Sequence, residues 1–164
     1  MHNMRRQKMK LFLIISIVTI FLTDCTQDNI YTQKEKVTNK IDQTIWYIDF
    51  ETPNAIGTLK RSKCLDTLEK NPEKLINEIN LKFPKVGLEL TKISKDTIYI
   101  NVINSGVLTE SMGTTGSDEF IVIATYTSTE IDSIKNVFFE MIDGSHARKG
   151  VRTRNSFKNI FNIK

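Results

Sequence analysis

The chain has few of the residues that build metal centres and disulfide frameworks. Its 164 residues include only two cysteines, Cys25 and Cys64, and two histidines, His2 and His146. A structural zinc site needs four such ligands at set spacings, and no spacing here matches such a set. We therefore expect no metal and no cofactor.

Long apolar runs are also missing. The longest, Leu11–Leu22, has 12 residues and contains only apolar residues, Ser and Thr. A helix needs about 20 residues to cross the hydrocarbon core of a bilayer, so the run is too short for a permanent anchor. With 40% hydrophobic and 26% charged residues, the chain has the composition of an ordinary globular protein with one domain.

An excess of positive charge is lacking once the first 24 residues are set aside. The whole chain has 23 basic and 19 acidic residues, but residues 1–24 contain four of the basic residues and one of the acidic ones. The remainder has 19 basic against 18 acidic residues, a net charge of +1. Because nucleic-acid binding needs a concentrated positive field, we expect no nucleic-acid partner.

The first 24 residues have the layout of a bacterial export signal. Basic residues from Arg5 to Lys10 precede the apolar run, and Leu22-Thr23-Asp24-Cys25 follows it directly. We therefore predict that residues 1–24 are a signal peptide and that the protein is exported.

The position of Cys25 resembles the lipobox of bacterial lipoproteins, although Asp24 stands where a small residue is typical. The resemblance implies that Cys25 becomes the lipidated first residue and anchors the protein to a membrane of the cell envelope. Thr26, which is not an acidic retention residue, favours the outer membrane where two are present. The alternative is that Cys25 is an ordinary thiol or pairs with Cys64. If Cys25 is lipidated, we interpret Cys64 as a small hydrophobe.

Residues 25–43 are polar and lack a sustained apolar period, which predicts a tether between the lipid and a domain at residues 44–164. The first predicted strand of that domain has Trp46, Ile48 and Phe50 at alternate positions, and Thr52-Pro53-Asn54 ends it.

Five further elements are predicted in the domain. They are a helix capped by Asn71-Pro72, a hairpin of strands 86–91 and 98–102 turning at Ser94-Lys95-Asp96, a helix from Thr115 to Ile131, and a central strand Val137–Ile142. Thr115 and Asp118 have the spacing of a capping box for the second helix. The order β-α-β-β-α-β predicts a single α+β domain with two helices packed on a mixed sheet.

Several of these segments are similar to those of one known domain family. They are the strand Ile98–Ile103, the glycine-containing loop Met112–Gly116 before a helix, the Tyr126-Thr127 pair, the segment Ile134–Gly144, the helix Asn71–Asn80 and the stretch Pro84–Leu90. Together they resemble the GerMN domain, an extracytoplasmic module of bacterial sporulation and germination proteins and of envelope lipoproteins. The resemblance implies a noncatalytic envelope module that binds a polymer or a protein partner.

Beyond residues 1–24, the only local concentration of basic residues lies near the C-terminus. Arg148, Lys149, Arg152 and Arg154 fall within seven positions that contain no acidic residue. Guanidinium groups suit phosphates and carboxylates, so these four residues are the candidate ligand-binding residues for an anionic envelope polymer, a lipid headgroup or an acidic protein. A solvated loop that balances acidic neighbours is an equally good interpretation.

His146 supports an alternative from a different class. A lone histidine can act as a general base, with Asp143, Asp118 and Ser117 as possible neighbours, which gives the hypothesis of an envelope hydrolase or transferase. The segment from Gly113 to Ser117 ahead of a helix suggests either an anion site or, preferably, a cap and turn. No catalytic set is evident, so we expect a noncatalytic protein.

Overall fold

Two mixed β-sheets and two α-helices make up most of the regular structure. The computed structural model describes residues 44–50 and 56–163, which belong to one compact unit, Lys40–Lys164. Four predictions lie outside the described residues: the export signal 1–24, the lipid on Cys25, the tether 25–43 and the strand end at Thr52–Asn54. Within the described part, no helix has the length and apolar character needed to span a membrane.

Two α-helices separate three groups of strands along the chain. In order they are β1 (Tyr47–Asp49), β2 (Thr58–Lys60), α1 (Pro72–Lys82), β3 (Leu88–Ser94), β4 (Thr97–Val102), α2 (Gly113–Ser128), β5 (Asn136–Glu140), β6 (Gly150–Arg152) and β7 (Asn162–Ile163). Short 3-10 turns at Lys63–Asp66 and Arg154–Phe157 and a π-helix at Val107–Ser111 lie between them. The predicted α+β class is confirmed.

The larger sheet has the strand order β3-β4-β5-β6. β3 and β4 form the predicted antiparallel hairpin, in which Lys95 takes a left-handed φ of 56°. β4 and β5 are parallel, and α2 makes the long crossover that parallel neighbours require. β6 pairs antiparallel with β5, so β5 is a central strand, as predicted.

Helix α1 begins as the sequence predicts. The side chain of Asn71 accepts hydrogen bonds from the backbone N–H of Glu73 at 2.9 Å and of Lys74 at 3.4 Å, so it satisfies two free donors of the first turn. The Asn80 side chain then bonds both backbone groups of Leu88, at 2.9 and 2.6 Å. This pair of bonds fixes α1 against the start of β3.

Helix α2 begins earlier than predicted, and its predicted capping box is wrong. Met112 precedes the first helical residue and makes no capping hydrogen bond through its side chain, while Thr115 lies inside the helix. The predicted loop Met112–Gly116 is therefore mostly helical. The π-helix Val107–Ser111 leads directly into α2, and its Val107 carbonyl accepts from the Met112 amide at 3.0 Å. This preceding turn takes the place of a side-chain cap.

Every residue of α2 from Phe120 to Ser128 is buried. A helix buried on all sides must have other elements around its whole circumference. α1 and β5 contact it, and so do β1 and the turn Arg154–Phe157. The three-stranded sheet, of order β1-β2-β7, thus contributes to the same core as the larger sheet.

Some predicted boundaries differ from the structure. The second helix ends at Ser128 rather than Ile131, and the last predicted strand ends at Glu140, which leaves Ile142 77% exposed. β1 covers only three residues, and Phe50 beyond it is 40% exposed. Cys64 is exposed, and among the described residues its thiol is free, which differs from the small hydrophobe that we predicted.

Candidate functional site

A pocket of about 390 Å³ lies where α2 ends, β5 begins and β6 ends. It is lined by Thr129, Ile134, Lys135, Asn136, Thr153, Arg154 and Asn155. These residues supply one ammonium group, one guanidinium group, two amides and two hydroxyls, and none of these described lining residues carries a carboxylate. The lining can therefore donate hydrogen bonds to an anionic or hydroxylated ligand.

The hairpin turn positions the part of the pocket that precedes β5. The carbonyl oxygen of Asp96 accepts hydrogen bonds from the backbone N–H groups of Lys135 at 2.8 Å and Asn136 at 3.0 Å. The Asn136 side chain bonds the hydroxyl of Thr97 at 3.4 Å. The backbone of this segment is thus fixed, while the residue Lys135 is exposed to solvent.

Arg154 connects the pocket to a buried carboxylate. Its Nη2 donates to Oε1 of Glu130 at 3.0 Å and to the carbonyl oxygens of Tyr126 and Thr129, each at 3.2 Å. Its Nε donates to the Thr129 hydroxyl at 2.8 Å. Among the described residues no hydrogen bond of Arg154 uses Nη1. This nitrogen is therefore the donor of Arg154 that these bonds leave unused.

Glu130 is 7% exposed, and its carboxylate accepts hydrogen bonds from three separate segments of the chain. Trp46 Nε1 donates to Oε1 at 3.0 Å, and Arg61 donates to Oε2 through Nε at 3.1 Å and Nη2 at 2.8 Å. The Arg154 guanidinium also lies over the rings of Trp46, at 5.4 Å, and Tyr126, at 5.0 Å. We refer to Trp46, Arg61, Glu130 and Arg154 as the Glu130 cluster.

The hydrogen bonds of this cluster determine the ionisation of Glu130. Burial acts to raise its pKa, but the bonds from Arg61, Trp46 and Arg154 outweigh burial and hold the pKa below its ordinary value. In Tyr126, burial raises the pKa against the opposing effect of the Arg154 charge. Glu130 is therefore an ionised group with several partners, and Arg154 is held in place beside the pocket.

The structure separates the four basic residues that the sequence groups together. Lys149 pairs with Glu140 of β5 at 3.3 Å, and Arg152 donates to the carbonyl oxygens of Arg148 at 2.9 Å and Val151 at 3.0 Å. Arg148 and Arg152 are thus brought together, whereas Arg154 belongs to the Glu130 cluster. Their joint role in ligand binding stays a prediction, and Arg154 is the member that lines the pocket.

His146 is partly buried beside the start of α2. Its Nδ1 lies 3.2 Å from the Thr114 hydroxyl, and its backbone N–H donates to the carbonyl oxygen of Thr109 at 2.9 Å. The neighbouring Ser145 donates to Glu110 through its N–H and its hydroxyl, both at 2.9 Å. These bonds lower the pKa of Glu110.

The predicted neighbours of His146 make other bonds. Ser117 donates to the carbonyl oxygen of Leu108, and Asp143 accepts from the Lys149 backbone. Asp118, the third predicted neighbour, is partly buried, and this burial raises its pKa. The hydrolase or transferase hypothesis stays a prediction, with Thr114 as the hydroxyl nearest to His146 in the described contacts.

Fold and pocket together define a small α+β domain with a pocket whose lining includes two basic residues, two amides and two hydroxyls. Within the described residues, no group of three or more His, Cys, Asp or Glu side chains is placed to hold a metal ion. Comparison with protein-family models, curated proteins and solved structures gives no match to this chain.

Proposed function

We propose that this chain is a noncatalytic binding module of the bacterial cell envelope, exported by residues 1–24 and anchored by a lipid on Cys25. Its ligand is an envelope polymer or partner with anionic groups. The export layout and the lipobox-like cysteine support the location. The resemblance to the GerMN domain, a module of envelope proteins, supports a binding role.

The pocket at the end of α2 is the observation that carries the binding proposal. Lys135 and Arg154 supply positive charge, and the amides and hydroxyls around them supply further donors. Charge-assisted hydrogen bonds to phosphate or carboxylate are stronger than neutral ones. The Glu130 cluster fixes Arg154 in advance, so little side-chain entropy is lost when an anion binds.

Charge reversal at Lys135 tests this proposal. The full chain, purified in detergent, is titrated with two defined polyanions, poly(glycerol phosphate) and polygalacturonate. We expect Lys135→Glu to weaken binding of at least one polyanion by about tenfold, because an attractive charge becomes a repulsive one. The loss should shrink at high salt, since exposed charges are screened.

Lys158→Glu is the matched control. Lys158 is exposed, lies outside the pocket and undergoes the same change of charge. Binding that Lys158→Glu weakens as much as Lys135→Glu would indicate a nonspecific effect of net charge and would contradict the pocket proposal. The pocket proposal would also be contradicted if the unmodified chain bound neither of the two polyanions.

A further inference from the structure

The two faces of the larger sheet have very different surroundings. Ile98, Ile100, Val137 and Phe139 point toward the helices and are at most 1% exposed. Because side chains alternate along a strand, their neighbours in sequence point to the opposite face. The residues on that face are partly or fully exposed.

A row of side chains with two aromatic rings at its centre crosses the middle of this outer face. Strand register places Lys92, Tyr99, Phe138 and Val151 side by side on β3, β4, β5 and β6. The rings of Tyr99 and Phe138 have centroids 5.4 Å apart and planes inclined by 36°. Lys92 Nζ lies 4.8 Å from the Tyr99 centroid, and Val151 is 51% exposed. This aromatic row crosses three strand spacings, about 14 Å.

Polar side chains flank the aromatic row on both sides. The register places Ser94, Thr97 and Asn136 on one side of the row. It places Glu89, Asn101 and Glu140 on the other side. Hydroxyls and amides both donate and accept hydrogen bonds, so these flanks suit a ligand with many hydroxyl groups.

The charges on this face balance one another. Glu89 and Glu140 are matched in number by Lys92 and Lys149, and Glu140 pairs with Lys149 at 3.3 Å. A face without net charge has no general attraction for a polyanion or a polycation. Its charge therefore matches an uncharged ligand, in contrast to the pocket, whose lining includes the basic residues Lys135 and Arg154.

We infer that the aromatic row binds the uncharged pyranose rings of a polysaccharide chain. A pyranose ring has apolar C–H faces that pack on aromatic rings and a rim of hydroxyls for the flanking amides. A stable protein partner would need about 800 Å² on each side with an apolar centre. Two rings and one valine in single file make a narrow strip that fits a sugar chain better.

The inference extends the proposed function and shares one residue with it. Asn136 lies on a flank of the aromatic row and also lines the pocket. A polysaccharide with acidic substituents can therefore contact both surfaces. The two surfaces are separable by experiment, since an uncharged glycan tests the row and a polyanion without pyranose rings tests the pocket.

Saturation-transfer NMR provides the test. The full chain is kept in a detergent without a sugar headgroup, its aromatic protons are irradiated, and the hexamer of β-1,4-linked N-acetylglucosamine is the probe. We expect transfer to the ring C–H protons of the sugar. Tyr99→Leu and Phe138→Leu should each weaken binding by about tenfold, because the aromatic face is lost while the apolar volume is largely kept.

Tyr47→Leu is the matched control, since Tyr47 is a partly buried tyrosine on β1 of the other sheet. It should bind the hexamer as the unmodified chain does. The inference is overturned if the unmodified chain shows no transfer, or if all three variants bind equally. Concentration-dependent dimerisation that Tyr99→Leu abolishes, without glycan binding, would assign the row to self-association and overturn it as well.

The variants also distinguish this inference from the pocket proposal. Lys135→Glu should bind the uncharged hexamer normally, and Tyr99→Leu should bind poly(glycerol phosphate) normally. If Lys135→Glu and Tyr99→Leu each lose binding of both ligands while their circular dichroism spectra are unchanged, the two surfaces act as one site. The separate assignment of the aromatic row is then wrong.

Discussion

At the scale of single residues, the buried carboxylate of Glu130 connects distant parts of the chain. It accepts hydrogen bonds from Trp46, Arg61 and Arg154, which lie far apart in sequence. Removing the carboxylate leaves two partly buried guanidinium groups without it, and breaking a buried ion pair costs about 3 kcal/mol. We therefore expect Glu130→Gln to lower the free energy of unfolding by about 2 kcal/mol at pH 7, since the amide keeps some hydrogen bonds.

The pH dependence of that loss follows from the lowered pKa of Glu130. A carboxyl whose pKa is lower in the folded state stabilises the protein above its unfolded pKa, and this stabilisation is lost as pH falls through the folded pKa. Urea unfolding is measured from pH 7 to pH 3 for the unmodified chain and for Glu130→Gln. The difference between their free energies of unfolding should become smaller below about pH 4. A gap that stays constant over this range would contradict the assignment.

Asp132→Asn is the control for the same loss of charge. Asp132 is exposed and close in sequence to Glu130, and surface substitutions usually change stability by less than about 0.5 kcal/mol. The contrast between the two variants isolates the contribution of the Glu130 cluster.

At the scale of elements, the buried part of α2, Phe120–Ser128, contains two hydroxyls without a hydrogen-bond partner among the described residues, those of Thr127 and Ser128. Thr127 is fully buried, and its hydroxyl has no hydrogen-bond partner in the described part of the chain. Valine has the same shape without the hydroxyl. We expect Thr127→Val to raise the free energy of unfolding by about 1 kcal/mol, because the cost of an unpaired buried group disappears.

Thr125→Val in the same helix is the matched comparison. Thr125 is equally buried, but its hydroxyl donates to the carbonyl oxygen of Ile121 at 2.7 Å. Thr125→Val should lower the free energy of unfolding by about 1 kcal/mol, because this is the usual net contribution of a hydrogen bond. Effects of the same sign in both variants, measured by urea unfolding, would contradict this account of α2.

The elements that the sequence predicts well have local causes. Asn71 and Pro72 start α1 by themselves, and the alternation around Lys95 suffices for the hairpin. The first residues of α2 do not predict its start, because Gly113 and Gly116 are poor helix formers and the preceding π-helix Val107–Ser111 supplies the first turn. β2, β6 and β7 have two or three residues each, which is too few for a periodic pattern to be recognised.

At the scale of the whole molecule, the pocket could not have been predicted from the sequence. Lys135 and Asn136 lie close to Thr153 and Arg154 only because β5 and β6 pair, and nothing local to Lys135 marks it as a site residue. The basic segment of the sequence does contain one pocket residue, Arg154. Lys149 pairs with Glu140, whereas Arg152 bonds the carbonyl oxygens of Arg148 and Val151, so proximity in sequence overstates how far these charges act together.

The anchor proposal belongs to the same scale, and it turns on Asp24 and Cys25. We expect mass spectrometry of the membrane-extracted protein to find a diacylglyceryl group on Cys25 at the mature N-terminus, and Cys25→Ser to abolish both the lipid and cleavage at this position. Asp24→Gly should increase the processed fraction, because a small residue is typical before the cysteine of a lipobox.

Cys64→Ser separates the lipid from the alternative disulfide. Cys64 is exposed on the 3-10 turn Lys63–Asp66 and is free among the described residues, so its thiol is accessible to a partner. If Cys25 is lipidated, Cys64→Ser leaves processing unchanged and Cys64 reacts with a thiol reagent in the intact protein. A mass that shows Cys25 joined to Cys64 would contradict the anchor, because a sulfur in a disulfide cannot also carry the lipid thioether.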